Sequence, residues 1–172
     1  GGAKICEEVL QPLNRIGDIE GAHFANGKVT MPKGFVEAYR GWAGAGWSAV
    51  SAPTEWGGQG LPIMLHAACI EYWNSASMAF AVGPVVSMAA IEAFHAHASE
   101  TLKRLYLKKI VTGEWAGTMN LTEPHCGTDL GMLRTKAFPQ GDGSYRITGQ
   151  KIFISAGEHD LASNIIHLVI AR

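Results

Sequence analysis

Met119-Asn120-Leu121-Thr122-Glu123-Pro124-His125-Cys126-Gly127-Thr128-Asp129 is the stretch on which the reading of this chain turns. It closes a short β-type run, Glu114 to Leu121, and is rich in hydroxyls, glycine and acid. Pro124 fixes one backbone torsion, and Gly127 permits a positive φ or a close approach. Successive N–H groups in such a turn can face an anion or the polar edge of a ring, with Thr122 and Thr128 adding side-chain donors. The same composition also suits an ordinary inter-strand loop capped by Asp129.

Downstream of this stretch the residues alternate. Leu133-Arg134-Thr135-Lys136-Ala137 and Tyr145-Arg146-Ile147-Thr148 read as strands around the turn signal Gly141-Asp142-Gly143-Ser144. Lys151 to Ser155 and Ile165 to Ile170 read as two more. Phe153 and Ser155, two apart on a strand, would share a face and could present a ring and a hydroxyl to one flat ligand. The other reading puts Phe153 in the core and Ser155 at a strand end.

Upstream the period is helical. Ile5, Val9, Leu10, Leu13 and Ile16 form one apolar stripe, with a kink expected at Pro12. Phe35, Tyr39 and Trp42 repeat the spacing before the Gly-rich run from Gly41 to Gly46. Pro53 to Gly60 is a loop by composition. A long apolar helix is expected from Pro62 to Val82, and another from Pro84 to His97. Ser99 is an N-cap for a further helix with Leu102, Leu105, Tyr106 and Ile110 facing inward. Lys103, Arg104, Lys108 and Lys109 would solvate its outer face.

Helices first and strands second predict an α+β fold. The expected architecture is an N-terminal all-α helical domain, residues 1–112, followed by the start of an antiparallel β-domain, residues 113–172. The last strand, Ile165 to Ile170, is expected to need pairing partners that this chain does not supply, so the sequence is expected to be the N-terminal part of a longer protein.

Composition narrows the function. The net charge is −1 and no basic run exists, so nucleic acid is not an expected partner. Three widely spaced cysteines, Cys6, Cys69 and Cys126, and scattered histidines match no metal-ligand motif, and no metal is expected. That cysteine usage suits a reducing, cytoplasmic setting. Tyr72 to Ile91 is uncharged and near spanning length, but the Gly83-Pro84 pair is expected to break it, so no membrane span is expected.

Three motifs in order carry a resemblance that covers essentially the whole chain. Thr122-Glu123-Pro124-x-x-Gly127-Thr128-Asp129 resembles the T-E-P-x-x-G-S-D signature of acyl-CoA dehydrogenases. Gly149-Gln150-Lys151-Ile152-Phe153-Ile154-Ser155 resembles their G-x-K-x-W-I-T signature. Pro53 to Gly60 resembles their P-x-x-x-G-G-x-G loop. Gln59-Gly60-Leu61-Pro62, Glu158-His159-Asp160 and Asn164 to Val169 are most similar to a larger-subunit branch that includes enzymes acting on 3-(methylthio)propanoyl-CoA.

The resemblance implies an FAD-dependent α,β-dehydrogenation of an acyl-CoA thioester. It also implies an electron-transfer flavoprotein as acceptor and a homo-oligomer. By motif position, Met119 and Leu121 would offer main-chain groups near the flavin ring, and Thr122 would bond its pyrimidine side. Gly127 and Thr128 would approach the pyrophosphate, and Thr128 would also touch the CoA portion of the substrate. Phe153 stands where the family has Trp, losing an indole donor, and Ser155 where it has Thr. The catalytic base of the family is a glutamate beyond position 172, so no catalytic residue is assigned here. The chain alone is expected to hold FAD weakly and to dehydrogenate nothing. Two other readings remain open: an acyl-CoA oxidase of the same fold, and a helical interaction module that binds no flavin.

Overall fold

The computed structural model describes residues 1–172. Helix α1 spans residues 2–20: Gly2–Ile5, a wider π turn over Cys6–Leu10, then Gln11–Glu20. Gln11 donates its N–H five residues back, to the Cys6 carbonyl. That bulge lies just before Pro12, where the proline's missing N–H would otherwise interrupt the ladder. Leu10 and Leu13 are buried as expected, whereas Val9 is exposed. Gly21, at φ 65°, ends the helix.

Strands β1 (His23–Ala25) and β2 (Lys28–Thr30) form an antiparallel hairpin that the sequence reading did not include. Its signal was present: Asn26 and Gly27 take positive φ, the requirement of a type I′ turn.

Helix α2 (Phe35–Gly44) turns Phe35, Ala38, Tyr39 and Trp42 inward. The Pro53 to Gly60 loop is bound back to the preceding segment: Gln59 N–H reaches the Ala49 carbonyl and Leu61 N–H the Val50 carbonyl. A Cβ at Gly58 would stand 2.0 Å from the Ala52 carbonyl oxygen, so only glycine fits there.

Helix α3 (Ile63–His97) corrects the expected break. The chain leaves helical torsions at Ser77 (φ −158°, ψ 97°), and Pro84 sits inside the following helical stretch. Ser77 Oγ accepts the Phe80 N–H at 3.4 Å, as an N-cap does. With its first turn already opened there, the second half of α3 carries Pro84 two turns later. By length and composition α3 could cross a membrane. Here Trp73, Phe80 and Ala81 of that helix form the core with Leu10, Phe35 and Trp42. The Trp42 and Trp73 rings meet edge to face, 5.2 Å between centroids.

Helix α4, residues 100–111, is capped by Ser99, whose Oγ accepts the Leu102 N–H. A π turn over Lys103–Leu107 rotates its inner face. Leu107, Ile110 and Val111 are therefore buried, and Leu102 and Leu105, expected inside, are exposed.

Strand β3 (Ala116–Asn120) pairs with β6 (Ile165–Val169), and β4 (Lys136–Pro139) with β5 (Tyr145–Thr148). The β4–β5 pair is an antiparallel hairpin as expected, its turn held by Asp142, which accepts from the Ser144 N–H and hydroxyl. The β3–β6 pair is parallel, Ala116 opposite Ile165 and Asn120 opposite Val169, so the last strand finds a partner within this chain, against expectation. The long crossover between them, which holds the β4–β5 hairpin, permits that direction. Lys151 to Ser155 is not a strand. Phe153 and Ala156 take φ 56° and 53°, torsions that no ladder accepts.

Strand β3 lies directly on α3. A Cβ at Gly117 would come within 2.6 Å of Ala90 Cβ, and Ser87 Oγ bonds both the N–H and the carbonyl of Gly117. Leu161, from the segment before β6, enters the helical core. Tyr39 donates its hydroxyl to the Gly113 carbonyl at 3.1 Å, and burial pushes its pKa up to about 12.

Candidate functional site

The two motif segments quoted above meet. Ile152 donates its N–H to the Thr122 carbonyl at 3.0 Å. The Lys151 ammonium donates to the Leu121 carbonyl and to Glu123 Oε1, each at 2.9 Å. Glu123 is 3% exposed and also accepts the backbone N–H groups of Arg134 (2.8 Å) and Thr135 (3.0 Å). Thr135 first, then the Arg134 N–H and the Lys151 ammonium, hold its carboxyl well below the usual range against the opposing effect of burial. One buried carboxylate thus ties three pieces of chain together. The sequence reading quoted Glu123 and Lys151 within their motifs and gave neither a role. The signal was an acid and a base, each beside a proposed ligand-facing residue.

The turn after Glu123 is tight. Glu123 and Cys126 exchange backbone hydrogen bonds at 2.8 and 3.1 Å. Asp129 Oδ1 caps the Gly131 N–H. Gly127 faces Thr122, whose Cγ2 would stand 3.8 Å from a Cβ added there. The ligand atoms of Glu123, His125 and Cys126 lie within 4.8 Å of one another. Both Glu123 oxygens are already engaged, one of them by an ammonium, so the group serves as an anchor for the turn.

Strand β3 presents an open edge beside this junction. The amides of Ala116 and Asn120 face β6: Ala116 N–H bonds the Asn164 carbonyl, and Asn120 accepts from Ile170. The alternate residues Gly117 and Met119 face the other side, where Ser87 takes up Gly117. The N–H groups of Leu121 and Thr122 find no acceptor within the chain. Donors in that position are available to the polar edge of a ligand.

Met119, Thr128, Phe153 and Ser155 are exposed, and Leu121, Thr122 and Gly127 are half-buried. Phe153 is 88% exposed, which removes the reading of a core side chain. Its ring stands out because the backbone turns into the left-handed region, not because a strand alternates. The expected sharing of a strand face by Phe153 and Ser155 is therefore corrected. Thr128 and Ser155 lie at the margins, with no hydrogen bond joining either to the other segment. Ala156 packs its Cβ against α3 at Gly83, where an added Cβ would stand 3.5 Å away. A polar cleft of about 390 Å³ opens behind the junction, lined by Glu123, Pro124, His125, Arg134, Thr135, Gly149 and Gln150.

A family model described as acyl-CoA dehydrogenase, N-terminal domain, matches residues 4–114. The chain is 49% identical to a 3-methylmercaptopropionyl-CoA dehydrogenase of Ruegeria pomeroyi over 98% of its own length and 29% of the relative's. The butyryl-CoA dehydrogenase of Megasphaera elsdenii superimposes with a TM-score of 0.78 at 22% identity, over 91% of this chain and 38% of that one. A structure described as PigA with FAD and proline superimposes with a TM-score of 0.72 at 22% identity, over 89% and 38% of the two chains. The chain thus spans less than a third of the length of the curated relatives it matches, 29% of the Ruegeria pomeroyi enzyme.

Proposed function

The chain belongs to the acyl-CoA dehydrogenase family, and on that premise we propose that the full-length protein is an FAD-dependent acyl-CoA dehydrogenase. The observation that carries this reading is the junction of Thr122–Asp129 with Lys151–Phe153 beside an open strand edge. The residues fit a flavin: unpartnered main-chain donors at Leu121 and Thr122, a glycine at 127, and an exposed aromatic ring at Phe153.

FAD, when bound, takes up the electrons removed from the acyl chain. The Met119 and Leu121 main chain and Thr122 hold the pyrimidine side of its ring. Gly127 and Thr128 admit the pyrophosphate, and Thr128 also meets the CoA portion of the substrate. Phe153 would shield the ring from water, and Ser155 would offer it a hydroxyl. No group of this chain serves as the base that takes the α-proton. The substrate class is a short acyl-CoA, with 3-(methylthio)propanoyl-CoA the first choice from the 49% identity to an enzyme of that name. An electron-transfer flavoprotein receives the electrons, and the protein works as a homo-oligomer in the cytoplasm.

The test is an anaerobic titration of the FAD-loaded full-length protein with 3-(methylthio)propanoyl-CoA and butyryl-CoA. Bleaching of the flavin together with a trans-2-enoyl-CoA product is expected. A loaded protein that no acyl-CoA bleaches refutes the proposal.

A further inference from the structure

We infer that Lys151 is a positioning residue that tunes the flavin through the Leu121–Thr122 peptide, an assignment that rests on the flavin-binding reading above. The Lys151 side chain is 9% exposed, and its ammonium sits 2.9 Å from the Leu121 carbonyl oxygen. In a trans peptide the carbonyl and the next N–H point in opposite directions. The N–H across from that carbonyl belongs to Thr122, and it has no acceptor in the chain. A cation on one end of a peptide dipole strengthens the donor at the other end, because linked hydrogen bonds polarise one another. The Thr122 N–H is thereby a stronger donor than a peptide with a solvated carbonyl would supply.

Its beneficiary is the form of the ring that carries more negative charge on its pyrimidine oxygens, the reduced flavin. Glu123 sets the strength of the effect. Its Oε1 lies 2.9 Å from the same ammonium and offsets part of the charge that Leu121 feels. The pair gives two opposed controls on one peptide. A clamp with a purely mechanical role would have no sign.

The sign is the test. FAD-loaded full-length protein is prepared as wild type, K151M and E123Q, and the flavin midpoint potential is measured by equilibration with reference dyes. K151M, which keeps length and loses charge, is expected to weaken the preference for reduced over oxidised flavin about tenfold, about 30 mV more negative for a two-electron couple. E123Q leaves the ammonium unbalanced and shifts the potential the other way. K151R restores the wild-type value. Shifts of one sign in both single variants, or an unchanged potential in K151M, overturn the assignment. Removing one partner of a buried pair can prevent folding where removing both does not. If a single variant loses its flavin, the K151M/E123Q double variant is read in its place. A negative shift supports the inference; an unchanged potential, or loss of flavin there too, leaves Lys151 a mechanical clamp and overturns it. Wild-type protein that takes up no FAD overturns the functional reading and this assignment with it.

Discussion

Gly117→Ala is expected to destabilise the chain by pushing β3 away from α3. An added Cβ at 117 would stand 2.6 Å from Ala90 Cβ and 3.5 Å from Ile110 Cγ2. Carbon atoms in contact prefer about 3.5–4.0 Å, so the Ala90 contact is short by roughly 1 Å. Neither partner can yield cheaply. Ala90 Cβ is bound rigidly to the backbone of α3, and the Gly117 N–H and carbonyl are both held by Ser87. Overpacking of this kind costs about 1–3 kcal/mol. For a chain of this size that is a fall in Tm of roughly 2–12 °C. The compensating change is Ala90→Gly, which removes the obstructing atom at a helix-propensity cost of about 1 kcal/mol. The two substitutions are therefore expected to be strongly non-additive, the pair more stable than their summed effects by about 1–3 kcal/mol. Urea unfolding of the four proteins of this cycle measures the coupling. Additive effects within about 0.5 kcal/mol, or a G117A variant as stable as wild type, would sink the claim that this contact sets the seat of β3.

Two further outcomes follow from the buried histidines and from Phe153. Burial holds the His66 imidazole below its ordinary value of 6.5, with Ser51 Oγ 2.6 Å from its Nδ1. The unfolded chain binds that proton more readily, so stability is full above pH 6.5 and falls as pH drops through the window down to the folded value. His66→Gln should flatten that slope in a urea series above pH 5, and an unchanged slope counts against the reading. His159, lowered by burial in the same direction, accounts for the slope that remains. Phe153→Gly relieves a left-handed φ of 56° and sacrifices little packing, since the ring is 88% exposed. Stability is expected to rise by about 1 kcal/mol, while the full-length protein retains FAD less well. Unchanged FAD retention would mean that the ring does not meet the flavin.

Much of this molecule is legible without coordinates because it is local chemistry. The helical period of Phe35, Tyr39 and Trp42, the Ser99 cap and the Asp142 turn all depend on near neighbours in the chain, and the structure has each of them in place. The Asn26-Gly27 hairpin was legible in the same way, through two residues that accept positive φ. The motifs around Thr122 and Phe153 identified the family before any geometry was known.

What the sequence could not settle are choices among locally equivalent options. Gly83-Pro84 and Ser77 both suit a helix break; the chain takes the one at Ser77, where the hydroxyl caps Phe80 and Trp73 and Phe80 still reach the core. Leu102 and Leu105 fit an inner face by period, and a π turn moves that face to Leu107 and Ile110. Lys151 to Ser155 alternates like a strand, yet the segment is held by an ammonium on Glu123 and Leu121, partners far away in the chain. Local pattern determined the elements and the motifs. Only tertiary contact, in which distant groups compete for one carboxylate or one cavity, decided where helices open and which segments meet at Glu123.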